Sequence, residues 1–268
     1  MNGRIDIAAI GVLAPGMDGW DAARRVLSGA TQFDAHDVAP KASSRLGAAE
    51  RRRLNTNARW ALAVAGEALD AAPEVAREAL ACVFGSTDGD GDVLAQTLAA
   101  LVAAPVVMSP TLFHNSVFNA PAGYCSIAYG LTGASTSLCA GEWTFAAALV
   151  DACDQVLADG IPVLCVVVDA AYPPALAGMR ASVASFACAL LLRPVTASAS
   201  SSLGSISIGG DVPASSTVAR APPAWLDHWS EDTAAAALPL LAAIATRLPT
   251  RLTLPQPADE RLVVHYHP

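Results

Sequence analysis

Charge is scarce in this sequence, and so are the groupings that bind metal or form cross-links. Charged residues make up 15% of the 268, against a hydrophobic fraction of 53%. That balance implies extensive burial and hints that some surface is hidden in a partner. No basic stripe with interleaved aromatics is present, and the net charge is −8. Nucleic acid is therefore not expected as the main ligand. The six cysteines, Cys82, Cys125, Cys139, Cys153, Cys165 and Cys188, stand singly in apolar segments with no CxxC pair. Such spacing builds neither a zinc site nor a disulfide framework, so most of them read as small buried apolar residues.

Other absences narrow the field further. The longest apolar run, Phe145 to Val168, is broken by Asp151, Asp154, Asp159 and Pro162, so no membrane span is expected. Met1 to Ile10 has Asp6 inside its apolar residues and lacks a signal-peptide layout. A cytoplasmic protein without metal or cofactor is the expectation. Gly16-x-x-Gly19 lacks the rest of a dinucleotide fingerprint and reads as a turn. Asp88-Gly89-Asp90-Gly91-Asp92 opens like a calcium loop, but Val93 and Ala99 stand where Gly and Glu are required; a turn and helix N-cap follow instead. His265 and His267 would share one strand face but have no third ligand near them in sequence.

What is present alternates between strand and helix signals. The patterning predicts strands over Arg4–Gly11, Leu80–Gly85, Ser135–Cys139 (the central one), Ile161–Val168 and Val183–Leu192. Helices are predicted over Trp20–Leu27, Asn57–Ala71, Val93–Val102, Thr111–Tyr129 and Glu142–Leu157. Ahead of the second helix lies Glu50-Arg51-Arg52-Arg53, either a solvated helix start or a docking surface for an acidic partner. After residue 195 the composition changes. A Ser/Ala-rich loop leads to a short strand (Ser205–Ile208), a helix (Glu231–Arg247) and a final strand (Leu262–Tyr266). The order of elements is α/β with a mixed sheet.

The chain is organised around Tyr129-Gly130-Leu131-Thr132-Gly133-Ala134-Ser135 and the residues that follow, through Thr144. They read as a loop, a strand, a small-residue elbow and the first turn of a helix. Such an elbow presents one side chain at a helix N-terminus, where N–H groups and dipole favour negative charge.

Four stretches together resemble the N-terminal half of a β-ketoacyl synthase. Ile7-Ala8-Ala9-Ile10-Gly11-Val12-Leu13-Ala14-Pro15-Gly16 resembles that family's first strand and Pro-containing turn. Cys82-Val83-Phe84-Gly85-Ser86 is similar to its second strand. Asn119-Ala120-Pro121-Ala122-Gly123 resembles the asparagine before its small-residue helix. Tyr129 to Ser135 is similar to Y-G-L-x-G-P-S, with Ala134 in place of Pro. The resemblance covers about residues 1–195 and implies a thiolase-like half fold: a mixed five-stranded sheet with helices on both faces. Residues 196–268 would be a tail, its helix and final strand packing on the same domain.

In that family the reactive cysteine falls nine positions after the Gly of G-P-S; here that position is Glu142. Cys139 lies three positions earlier and is expected to be a buried strand residue. The family's two catalytic histidines belong to a second half that the residues after 195 do not resemble, and His228, His265 and His267 lack their neighbours. The resemblance implies a catalytically silent, chain-length-factor-like subunit of a polyketide, aryl polyene or fatty-acid-like system. It would pair with a full β-ketoacyl synthase and meet acyl carrier protein indirectly. Phe113, His114, Val117, Phe118 and Asn119 would lie at the partner's acyl tunnel or the interface, or else in ordinary core packing. Two alternatives remain: an acyl-thioester enzyme, a decarboxylase or acyltransferase using Glu142 or Cys139, and a self-associating structural or regulatory protein.

Overall fold

Strand β1 (Ile5–Ala14) is buried at all ten positions, and its two sides differ. Ile5, Ile7, Ile10 and Val12 join one apolar cluster, whereas Ala8, Ala9 and Leu13 join another. The small side lets a helix come close. A Cβ on Gly11 would run into the carbonyl of Val64, so only glycine permits helix α3 (Thr56–Ala71) to lie where it does. The computed structural model describes residues 3–41, 43–179, 184–195, 202–209, 229, 233–256 and 261–268.

Those residues form nine strands and eight α-helices. The strands are β1, β2 (Met17–Asp18), β3 (Ala81–Gly85), β4 (Ser135–Leu138), β5 (Val163–Asp169), β6 (Phe186–Pro194), β7 (Ser205–Ile208), β8 (Thr250–Pro255) and β9 (Arg261–His267). The helices are α1 (Trp20–Leu27), α2 (Ala48–Arg53), α3 (Thr56–Ala71), α4 (Gly91–Val102), α5 (Pro110–Asn115), α6 (Ala120–Tyr129), α7 (Thr144–Asp159) and α8 (Leu238–Thr246). One sheet runs β4-β3-β5-β6-β1-β7-β9-β8, with β2 paired to the end of β1. β3 is parallel to β4 and β5, and the remaining pairs are antiparallel. The five strands from β4 to β1 are the mixed sheet expected from the sequence. The tail continues that same sheet with three more.

Helices cover both faces. α3 and α6 pack over one; α1, α7 and α8 pack over the other. α3 is held at its start by Asn55, whose Oδ1 accepts from the Ala58 N–H at 2.7 Å, and further along by Glu67. The Glu67 carboxylate accepts hydrogen bonds from the Val12 and Trp20 amides, tying β1 and α1 to the helix. No helix among the described residues is long and apolar enough to cross a membrane.

Several expectations are corrected. β4 is an edge strand, not the central one, because β3 takes the place between β4 and β5. Its four residues, Ser-Thr-Ser-Leu, are too polar and short for the middle of a parallel region, which β5 supplies with seven buried residues. The single helix expected over Thr111–Tyr129 is two. Ser109 caps α5, which ends at Asn115, and Pro121 in the first turn of α6 sets a new start. The expected helix over Glu231–Arg247 is a 3₁₀ turn at Ala234–Ala237 followed by α8, with residues 231 and 232 outside the described set. Strands β2 and β8 and helix α2 lack sequence signals. β8 offers only Leu252 and Leu254 as inward apolar residues, too brief an alternation to stand out.

Candidate functional site

The elbow begins where β4 ends. Cys139 and Ala140 lead into a 3₁₀ turn at Gly141–Trp143, and α7 starts at Thr144, two residues later than the sequence suggests. Gly141 has φ +56°, a left-handed conformation natural to glycine. Thr144 is wholly buried and pins the bend: its Oγ1 donates to the Gly141 carbonyl at 2.8 Å and accepts from the Ala140 N–H at 3.1 Å. Glu142 stands exposed in this turn, just ahead of the positive end of α7. The tail lies close by, with β8 against the 3₁₀ turn.

Cys139 is not a buried strand residue. It lies one position past β4 and is exposed, because among the described residues no strand lies beyond that edge to cover it. Its thiol donates to the Thr87 carbonyl. The other five cysteines are buried. Burial pushes the Cys82 and Cys165 thiols up to about 12 and raises those of Cys125 and Cys153. None of these four is poised as a thiolate.

Beside the elbow, at the carboxyl ends of β3 and β5, lies a buried polar cluster that sequence reasoning missed. Asp169 accepts from the Thr87 N–H at 2.8 Å and hydroxyl at 2.7 Å, and from Ser86 at 3.3 Å. From the tail it accepts the Thr233 hydroxyl at 2.7 Å and the Ala234 N–H at 3.2 Å. The Thr87 and Thr233 hydroxyls meet at the same Asp169 oxygen, Oδ2. One carboxylate thus joins two strands of the first half to the 3₁₀ turn of the tail that leads into α8. Only the acid itself, ending an apolar run, marks this place in the sequence.

The five residues proposed for a tunnel or interface all stand on the surface. Phe113 is 66% exposed, Phe118 49% and Val117 46%, and His114 and Asn119 are exposed as well. Ordinary core packing is excluded for them. The His114 ring packs edge-on against Tyr124. The apolar surface is wider than the sequence reading allowed. Leu98, Leu101 and Val102 on α4, Val106 and Val107 after it, and Ile127 on α6 are exposed too. The signal available was α4 itself, a helix apolar on most sides. A patch of this kind marks an interaction surface.

Next to it, a cleft of about 620 Å³ runs between α3, α4 and α5, with Arg52, Arg59, Trp60, Gln96 and Leu112 in its lining. Arg52, Arg53 and Arg59 are exposed, and none forms an ion pair with a described residue. His265 and His267 do share one face of β9, their rings 6.4 Å apart, and Ser207 contacts His267. His228 lies outside the described residues. Among the described residues no group of three or more His, Cys, Asp or Glu could hold a metal ion.

The family model for the β-ketoacyl synthase N-terminal domain matches residues 21–247. Among solved structures, a ketosynthase (ApeO) in complex with its chain length factor (ApeC) from Xenorhabdus doucetiae aligns over 99% of this chain and 99% of that one, with TM-score 0.70 and 19% identity. The ishigamide ketosynthase/chain length factor aligns over 98% and 99%, with TM-score 0.71 and 14% identity. A type II PKS acyl-carrier protein in complex with its ketosynthase bound to the hexaketide (AntDE:AntF) aligns over 100% and 99%, with TM-score 0.74 and 11% identity. No curated protein matches. At these identities the structural likenesses establish the fold, which is thiolase-like. The chain belongs to the β-ketoacyl synthase N-terminal domain family.

Proposed function

We propose, from that membership, that the chain is a catalytically silent, chain-length-factor-like subunit. It pairs with a full β-ketoacyl synthase and shapes that partner's acyl tunnel by steric bulk, in polyketide, aryl polyene or fatty-acid-like biosynthesis. The observation that carries this reading is the elbow: its exposed tip, ahead of α7, bears the carboxylate of Glu142. A carboxylate stabilised by a helix N-terminus is a poor nucleophile toward a thioester, and no thiol stands at that position. The open edge of β4 and the exposed Phe113, Val117 and Phe118 support association. In the resemblance, these are the strand that pairs across a two-fold axis and the segment that reaches the partner's tunnel. The arginines at 52, 53 and 59 support an encounter with an acidic carrier protein at the rim of the assembly.

The test is co-expression with the β-ketoacyl synthase encoded nearest to it, followed by size-exclusion chromatography. A mixed complex with 1:1 stoichiometry is expected; a stable homodimer that ignores the synthase would favour a self-associating structural role. Exposure of Cys139 favours one second reading, acyl transfer through that thiol. Incubation with an acyl thioester and intact-mass measurement separates the two, since a stoichiometric adduct lost in Cys139→Ser would establish the chemistry.

A further inference from the structure

The tail strands have one apolar face and one polar face. Ile206, Ile208, Leu252, Leu254, Val264 and Tyr266 belong to the core cluster that includes α8. Side chains alternate along a strand, so the opposite face carries Ser205, Ser207, Arg251, His265 and His267, each half-buried. His265 sits in the middle of a row. Ser207 stands directly across from it on β7 and Arg251 directly across on β8, where facing Cβ atoms are about 5 Å apart. The His265 and His267 rings are stacked with centroids 6.4 Å apart, and Ser207 Oγ lies 3.3 Å from His267 Nε2.

Charge on this face is one-sided. No residue of β7, β8 or β9 is acidic, and Arg261 begins β9 on the same side. Arg4, just ahead of β1, is exposed and close enough to act on His267. Asp6, opposite Ser205 across the β1–β7 pair, is already taken: Arg193 donates to it at 2.7 Å, and the Ser202 hydroxyl donates as well. Arg193 also donates to Glu74. Burial lowers the His267 pKa from 6.5, and the charges of Arg4 and His265 lower it further. A chain of net charge −8 thus gathers cations and hydrogen-bond donors here. Val263, the apolar residue of β9 on this side, is buried, so the exposed groups offer charge and hydrogen bonds rather than an apolar grip.

We propose that this row binds one small oxyanion, inorganic phosphate, through Ser207, His265 and His267 with Arg4 and Arg251 flanking them. A tetrahedral oxyanion accepts several charge-assisted hydrogen bonds at once. Bound here, it draws on the segment before β1 and on β7, β9 and β8, and so fastens the tail strands to the first half.

The experiment follows the imidazole signals of the purified full chain by NMR while phosphate or sulfate replaces chloride at constant ionic strength. Sulfate serves as the second probe because phosphate changes charge near neutral pH. Saturable shifts of the His265 and His267 signals are expected with both anions. Sulfate should bind about threefold or more tightly near pH 5.5 than near pH 7.5, since an adjacent anion favours the protonated ring. Arg4→Gln and His265→Gln should each weaken binding about tenfold, whereas Arg52→Gln on α2 should not. The proposal is overturned by shifts that never saturate, by equal losses in Arg52→Gln and Arg4→Gln, or by tighter sulfate binding at the higher pH. Tighter binding of glycerol phosphate than of phosphate overturns the choice of a free ion. Zinc saturating both rings while phosphate leaves them unmoved would replace the anion by a cation. None of these results depends on whether a synthase partner is found.

Discussion

The sheet has two ends, and the chain treats them differently. At the β8 end, Leu252 and Leu254 are buried and the strand lies against the chain's own elbow turn. At the β4 end, Ser135 is exposed and the next three residues are half-buried, and, as at β8, no further strand follows among the described residues. The helix leading into β4 shows Ile127 to solvent, and the segment before it shows Phe113, Val117 and Phe118. An open strand edge beside exposed apolar surface is an aggregation hazard unless a partner covers it. The tail therefore extends the sheet at one end, and on the proposed function the other end receives the partner.

That contrast breaks most severely at Asp169, where the tail is fastened to the first half. Asp169→Ala strands the donors of Thr87, Thr233 and Ala234 in a buried site, and should cost about 3 kcal/mol or more in urea denaturation. If the melt is unchanged, the tail is held mainly by apolar packing of α8 and the Asp169 cluster is incidental. At the open end the effect should appear in pairing, not in folding. Phe118→Asp is expected to weaken a mixed complex by about 2 kcal/mol, roughly thirtyfold, with the free chain melting as before. Thr253→Asp on β8 is the control and should leave pairing intact; equal losses would erase the distinction between the two ends. A thiol reagent sharpens the point. Among the six cysteines only Cys139 is exposed, so the folded chain should label quickly at that site alone, and more slowly once a partner covers the β4 end.

Much of this was readable from residues, and the failures share a cause. The buried strands β1, β5 and β6 announce themselves as apolar runs, and Gly133 to Glu142 gives the elbow by counting. Cys139 was misread because sequence shows a residue's affinity for burial, not whether its strand has a neighbour on both sides. The same gap hid the edge position of β4 and the wide apolar surface of α4. Asp169 was missed because its partners come from two places, Ser86 with Thr87 and Thr233 with Ala234, each more than sixty positions away in the chain. Position of a strand in its sheet is a property of the whole chain, and it decides which local preferences are satisfied within it.

Glu67 offers the mildest probe, and it belongs to the finished part of the molecule. Burial raises its pKa above the ordinary 4.5, opposed by the hydrogen bonds from Trp20 and Val12, and Asp21 and Asp18 push it up further. A carboxyl with a raised folded-state pKa binds its proton more tightly in the native chain than in the unfolded one. Its contribution is therefore most favourable below pH 4.5 and is lost as pH rises through the raised value. Glu67→Gln removes that titration but also replaces one acceptor facing a backbone amide with a donor. Stability of the wild type relative to this variant should accordingly decline as pH rises from 4.5 through that window, then level off. Because Glu67 clamps β1 and α1 to α3, away from the β4 edge, the substitution should leave partner binding unchanged at neutral pH. A change in pairing there would mean that the two regions communicate through α3, which also packs against α6.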